Sequence, residues 1–299
     1  WAWQDENVKK VRKLMLPALF GVSISQINLL LDTMIASLLM TGSIAWLYYS
    51  DRLIEFPLGL FGIGIATVIL PALSKLHSSE KSSDFQHTID WGVRFVIFLG
   101  LPAMIGLMII SPLIISVLFD HGAFSQGDVD HVQAVSLGVM AYSVGLVSFM
   151  LIKVLAPGFY ARQDTKTPVR IGIITLVLNM VFNIMLAPFI GYLGLALATS
   201  MSASCNAYLL YRQLSKEQVY QFSRFSLLFT CKCLLAALLM GAVVWYAATQ
   251  FLWRQWHFSE QVVLLIGLLA LAGGVYFLVL FLLGVRLNTI KNVVSAQSD

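Results

Sequence analysis

Apolar runs of about twenty residues or more recur along nearly the whole chain, at roughly 14–40, 44–73, 90–118, 132–156, 168–188, 192–212, 225–251 and 261–284. A bilayer core is crossed by ~20 helical residues at ~1.5 Å each, so every run is long enough to span. Within lipid each backbone N–H and C=O must find a partner inside the protein, which leaves helices or closed barrels. Runs this long and evenly apolar suit helices, because barrel strands are half as long and alternate. The expectation is an all-α polytopic membrane protein with eight transmembrane helices, neighbours antiparallel across short connections. Composition agrees: 59% of the 299 residues are hydrophobic and 11% charged, against about 45–50% and 25% in soluble domains. A mean hydropathy of +0.83 excludes a soluble enzyme, a disordered regulator and a coiled coil. A net charge of +4 is too small for a nucleic-acid footprint.

The basic residues read instead as topology signals. Lys9, Lys10, Arg12, Lys13, Lys75, Lys81, Arg162, Lys166, Arg170, Arg212, Lys216, Arg224, Arg286 and Lys291 all lie on alternate connections and the two ends. The opposite connections (41–43, 119–131, 189–191 and 252–260) carry only Arg254. This asymmetry predicts that both ends of the chain face the cytoplasm, with the acidic 119–131 loop outside. The chain opens on Trp1 rather than Met, and no signal-peptide pattern precedes the first run, which reads as a segment of something longer. Cys205, Cys231 and Cys233 fall inside apolar runs with no His nearby and read as packing residues.

Several spans carry helix-breaking residues. Pro57 is followed by Gly59, Gly62 and Gly64 in the second, and Pro102 and Pro112 are expected to break the third. The sixth, with Gly194, Ala196, Ala198, Ser200, Ser202, Ala203 and Ser204, offers a small-residue face for close helix contact. These features suit a channel or rocking transporter better than an anchor.

Charges inside the bilayer are costly and therefore informative. Asp51, Arg52 and Glu55 lie in the second span below Trp46, Tyr48 and Tyr49, with Arg52 roughly 12 Å beneath the outer surface. Arg52 and Glu55 are three apart and can pair. Arg52 either presents its planar fork to an anionic group such as phosphate or belongs to a structural ion pair. A second set comes from depth: Asp32 on the first span, Asn179 and Asn183 on the fifth and Thr199 on the sixth share a level of roughly 8–14 Å. A carboxylate with amide and hydroxyl oxygens suits a hard cation such as Na⁺. The alternatives are interhelical hydrogen bonding or a pairing of Asp32 with Arg52. Lys153, Lys232 and Arg94, close to span ends, are expected to snorkel. No phosphate loop, zinc motif or nucleophile elbow is present, which argues against an enzyme, including a membrane glycosyl- or acyltransferase.

Two segments carry a family resemblance. Tyr49-Ser50-Asp51-Arg52-Leu53-Ile54-Glu55-Phe56-Pro57-Leu58-Gly59, running on to Leu70-Pro71-Ala72-Leu73-Ser74, closely resembles the bacterial MurJ (MviN) lipid II flippases, as does Lys153-Val154-Leu155-Ala156-Pro157-Gly158-Phe159-Tyr160-Ala161-Arg162-Gln163-Asp164-Thr165-Lys166-Thr167-Pro168. The resemblance implies the MATE-like fold of the multidrug/oligosaccharidyl-lipid/polysaccharide exporter (MOP) superfamily, with this chain matching helices seven to fourteen of fourteen. Residues 1–13 would be a cytoplasmic lead-in, 14–214 the second six-helix bundle, and 215–299 two further helices forming a groove for the undecaprenyl tail. It implies transport of lipid II to the periplasmic leaflet of the inner membrane, for cell-wall synthesis, driven by an ion gradient or the membrane potential. Arg52 matches a cavity arginine thought to meet the lipid diphosphate, and Asp51 and Glu55 match its acidic neighbours. The partner of this segment would be the absent half, helices one to six, which carries the family's other essential cavity arginines. Some members bind Na⁺ at positions occupied here by Asp32, Asn179, Asn183, Thr199 and the Leu195 carbonyl; Asn183 stands where such a member has a carboxylate. The rival readings are a same-fold exporter of drugs or another polyprenyl-linked sugar, and a half-protein that does not transport without a partner.

Overall fold

Hydrocarbon leaves a chain's backbone few ways to satisfy itself, and every regular element among the described residues is helical. The computed structural model describes residues 26–120, 130–251 and 253–285. Helix α1 covers 26–37. It is followed by α2 (Ser43–Pro57), a π-helical turn (Leu58–Ile63), α3 (Gly64–Ser78), α4 (Ser82–Phe119), α5 (His131–Ser143) and α6 (Leu146–Tyr160). Then come α7 (Lys166–Ile190), α8 (Tyr192–Lys216), α9 (Arg224–Thr249), a 3₁₀ turn (Trp253–Gln255) and α10 (Phe258–Leu282). Six helices are long and apolar enough to cross a membrane, or seven when α5 and α6 count as one bent span. Eight spans are therefore not all seen. The first expected span, 14–40, lies partly outside the described residues, as do the lead-in 1–13, most of the 119–131 loop and the tail beyond 285.

The interruption expected after Pro57 is present, whereas those expected in the third span are not. Pro57 cannot donate to the helix, and the turn after it widens to π geometry while α2 and α3 remain one 36-residue span. Pro102 and Pro112 do not break α4, which is continuous over 38 residues. The carbonyl that Pro102 leaves without its helical partner belongs to Phe98, four residues earlier. The Tyr276 hydroxyl of α10 donates to it at 2.7 Å, so a tertiary bond replaces the missing helical one. The bend appears instead between α5 and α6, at 41°, where no proline stands. Gly145 allows it: a Cβ there would lie 2.7 Å from Ser200 Cα, so only glycine permits α8 to come this close.

The small-residue face of α8 works as its composition suggests. Ser202 donates to the Thr175 carbonyl of α7 at 2.7 Å, and a Cβ on Gly194 would collide with the Leu186 backbone. Helix α6 sits in the middle of the molecule, touching the π turn and α3, α4, α5, α7 and α8. The α9–α10 pair leans on α4.

Polar ties hold that pair at both ends. Towards one end, Asp90 of α4 is buried, and its carboxylate accepts from Tyr220 (3.0 Å) and Ser226 (2.7 Å) while Arg94 Nε stands 3.0 Å away. Burial and the neighbouring Asp90 push the Tyr220 phenol far above its ordinary range, so it stays a donor. At the other end Ser116 donates to Gln261 (3.1 Å), and Arg254 pairs with Asp130, the N-cap of α5, at 2.9 Å. Arg94 thus pairs with a buried acid and lies over the Phe225 ring rather than snorkelling. Lys232 donates to the Leu283 carbonyl at the C-terminal end of α10, where a cation also meets the negative end of the helix dipole.

Removing one partner from a buried, hydrogen-bonded charge pair costs roughly 3 kcal/mol or more. Asp90→Ala is therefore expected to lower the unfolding midpoint in detergent by several degrees, and Asp90→Asn by less, since its amide oxygen still accepts. An unchanged midpoint for Asp90→Ala would show that the α4–linker tie contributes nothing.

Candidate functional site

Two polar clusters lie within the membrane-spanning helices. The first is assembled from α1, α7 and α8. On α7, Asn179 and Asn183 are one turn apart on the buried face and are excluded from solvent. Asn183 Nδ2 donates to Asp32 Oδ1 at 2.6 Å and to Asn179 Oδ1 at 3.0 Å. Asn179 Nδ2 donates to Thr199 Oγ1 at 3.2 Å. Thr199 Oγ1 in turn lies 3.2 Å from Asp32 Oδ2 and 3.0 Å from the Leu195 carbonyl. All five residues that depth and resemblance pick out are therefore gathered at one point. Asp32 and Ala36 are buried on an otherwise largely exposed helix, and the cluster ties α1 to the α7–α8 hairpin.

Two atoms at this cluster are left over. Asn183 Oδ1 is buried and finds no hydrogen-bond partner among the described residues. Asn28, one turn before Asp32, donates to Asp32 Oδ2 at 3.2 Å, and its own Oδ1 is likewise buried and unpartnered. An unmet buried acceptor is unfavourable by itself and becomes favourable where a cation is supplied. No group of three or more His, Cys, Asp or Glu residues able to hold a metal occurs among the described residues. The chemistry available is thus one carboxylate with neutral oxygens, which suits a weakly charged hard cation rather than a transition metal.

The second cluster lies on α2. Arg52 pairs with Glu55 and lies 4.0 Å from Asp51. Its guanidinium stands 5.0 Å above the centre of the Tyr48 ring. These side chains are half exposed, on the face of α2 opposite its buried Trp46, Ser50 and Ile54. Arg52 is held in place on two sides while part of its planar fork remains open. The pairing of Asp32 with Arg52 that depth alone allowed is not made, since each bonds within its own cluster.

Asn28 and the support from Tyr48 were missed in the sequence, although Asn28 to Asp32 and Tyr48 to Arg52 both have the four-residue spacing that stacks side chains on one helix face. Lys153 of α6 is exposed at its head, and its stem packs over Gly62, where a Cβ would stand 3.7 Å from Lys153 Cγ.

Replacing Asn183 by Ala takes the 2.6 Å donor from the buried Asp32 carboxylate. A loss of about 1–3 kcal/mol is expected, read as a lowered unfolding midpoint, whereas Thr33→Ala, on the exposed side of α1, leaves it within error. Equal midpoints for wild type and Asn183→Ala would mean that the cluster does not hold α1.

Residues 1–267 match the family model described as "Lipid II flippase MurJ". A probable lipid II flippase MurJ of Vibrio cholerae is 55% identical over 292 residues, covering 97% of this chain and 55% of the relative. One from Haemophilus influenzae is 57% identical over 293 residues, covering 96% of this chain and 57% of the relative. Among solved structures, a lipid II flippase MurJ in an inward closed conformation superposes with a TM-score of 0.70 at 26% identity, covering 92% of this chain and 56% of that one. An outward-facing MATE transporter of the MOP superfamily shares the fold, with a TM-score of 0.58 at 16% identity over 95% of this chain and 67% of its own. The chain thus spans little more than half the length of the curated relatives it matches. It is a multi-pass membrane chain, and it belongs to the MurJ lipid II flippase family.

Proposed function

We propose that this chain is the second half of a lipid II flippase, a transporter and not an enzyme, in the inner membrane of a bacterium. The observation that carries the proposal is the Arg52 fork, held by Glu55, Asp51 and Tyr48 yet partly open inside a membrane-spanning helix. Such a fork binds a diphosphate bidentately. In this account Arg52 takes the lipid II diphosphate while Asp51 and Glu55 keep it oriented in the empty state and yield to the ligand. Transport proceeds by alternating access, one bundle rocking against the other about a midplane site. Residues 14–214 belong to the second six-helix bundle, within a chain of eight spans. Residues 215–299 supply two helices that shelter the undecaprenyl tail, and residues 1–13 precede the bundle. Both ends face the cytoplasm, as the basic connections argue. Helices one to six complete the cavity.

Asp32, Asn179, Asn183, Thr199 and the Leu195 carbonyl would hold Na⁺. The orphaned Asn183 oxygen supports this, because rotating that amide turns an unmet acceptor into a ligand. A bound cation would tighten α1 against α7 and α8 and so couple an ion gradient to the position of α1.

In the complete parent protein, expressed in cells depleted of their own flippase, lipid II should become cleavable by an externally added lipid II-degrading enzyme. With Arg52→Ala the exposed lipid II should fall at least ten-fold at unchanged expression; full retention would make Arg52 a structural ion-pair residue. Na⁺, but not choline at equal ionic strength, should raise the unfolding midpoint of wild type and leave Asp32→Ala unmoved. An identical response of the two proteins would remove the ion site.

A further inference from the structure

Two spans are interrupted, and their interruptions stand side by side. The span α2–α3 widens at Leu58–Ile63, and the span α5–α6 breaks at Val144–Gly145. The register between them is fixed on both sides. Above the interruptions, Trp46 Nε1 donates to His131 Nδ1 at 3.0 Å and Ser50 Oγ to the Val135 carbonyl at 2.9 Å. Within the π turn itself and just past the break, a Cβ on Gly62 would lie 3.7 Å from Met150 Cγ. The π turn and the break therefore occupy one level, about 25 Å along the helix from Ser43 and about 20 Å from His131.

The partners on either side of this level differ. The outer segment α2 packs on α5, so closely that a Cβ on Gly138 would lie 2.3 Å from Ser50 Oγ. The inner segment α3 packs on α6 and α4, with Ile69 Cδ1 lying 2.3 Å from where a Gly92 Cβ would stand. Helix α4 runs unbroken past both levels. Gly59 within the π turn and Gly64 just after it face open space in this chain, where a Cβ would meet nothing within 4 Å. What they supply is backbone freedom. A side chain from another helix meets the α5 side of the break: Ser200 of α8 donates to the Ala141 carbonyl (2.8 Å) and the Tyr142 carbonyl (3.2 Å). Ala141 needs it, because the Gly145 N–H that would serve it in a helix has turned to Tyr142.

We propose that the paired interruptions form one joint, on which α2 and α5 pivot together against α3 and α6, carrying Arg52, with Ser200 as the latch of the present conformation. Its purpose rests on the transport function above; its existence does not. A π turn is a soft point in a helix because its extra residue can be passed along or absorbed. A bend with exposed carbonyls inside a membrane needs a partner for them, and Ser200 fills that role only while the bend is present.

The complete parent protein in nanodiscs, spin-labelled at Ile44 and Val68 on the exposed faces of α2 and α3, reports the joint directly through the distance between labels. Wild type is expected to show two populations or one broad one. Gly59→Ala with Gly64→Ala, which fills open space, should narrow the distribution and slow lipid II flipping at least ten-fold without lowering the unfolding midpoint. Ser200→Ala should shift the populations away from the distance found here. A single narrow distance in wild type that neither variant changes, or flipping at the wild-type rate by the double glycine variant, would overturn the joint. If wild type flips no lipid II while the distances still respond to both variants, the substrate assignment fails and the joint stands.

Discussion

The constraint on which this structure depends is that nothing polar within the bilayer can be left to water. Each departure from regular helix therefore needs a partner supplied by another helix. Tyr276 gives its hydroxyl to the Phe98 carbonyl that Pro102 strands. Ser200 gives its own to the carbonyls at the α5–α6 bend. Asp32 is met from α7 and α8. Where bonds of this kind are made, two helices are fixed to each other, so the pattern of polar contacts also maps which parts are tied. Helices α4, α9 and α10 are tied by Asp90, Tyr276 and Gln261 at three levels.

The same physics separates what the sequence discloses from what it withholds. That the chain is a string of membrane-spanning helices, and their order, are legible because ~20 apolar residues in lipid have one stable form. The Asp32 cluster is legible because residues on different helices at one depth have few other polar groups to meet, and Asp32, Asn179, Asn183 and Thr199 do meet. Helix breaks are less legible. A proline in a membrane helix bends it only if no neighbour repairs the lost bond, and the repair at Phe98 comes from Tyr276, 178 positions away in the chain. The bend at Gly145 follows from contact with Ser200, which no local pattern in residues 131–160 contains. Arg94 looks like an interfacial residue until the linker folds back and brings Tyr220 and Ser226 to its partner Asp90.

In the proposed transporter the two clusters would divide the work of coupling between them. The Asp32 cluster is closed, saturated apart from two amide oxygens, and holds a helix in place. The Arg52 cluster is open, with its acids within its own helix, and can exchange partners without unfolding anything. In that proposal their separation would let ion occupancy act on α1 while an anionic headgroup acts on α2. Because α2 is bonded to α5 through Trp46 and Ser50, a pull on Arg52 is shared with the bent span.

The central claim is that Arg52 reads the diphosphate of a polyprenyl lipid. The most direct test is binding by the complete parent protein, measured in nanodiscs for lipid II, undecaprenyl diphosphate and uncharged undecaprenol, with wild type and Arg52→Ala. The account predicts that Arg52→Ala weakens both diphosphate lipids at least ten-fold and leaves undecaprenol unaffected. Equal binding of lipid II by the two proteins, with the variant folded and inserted, would contradict it.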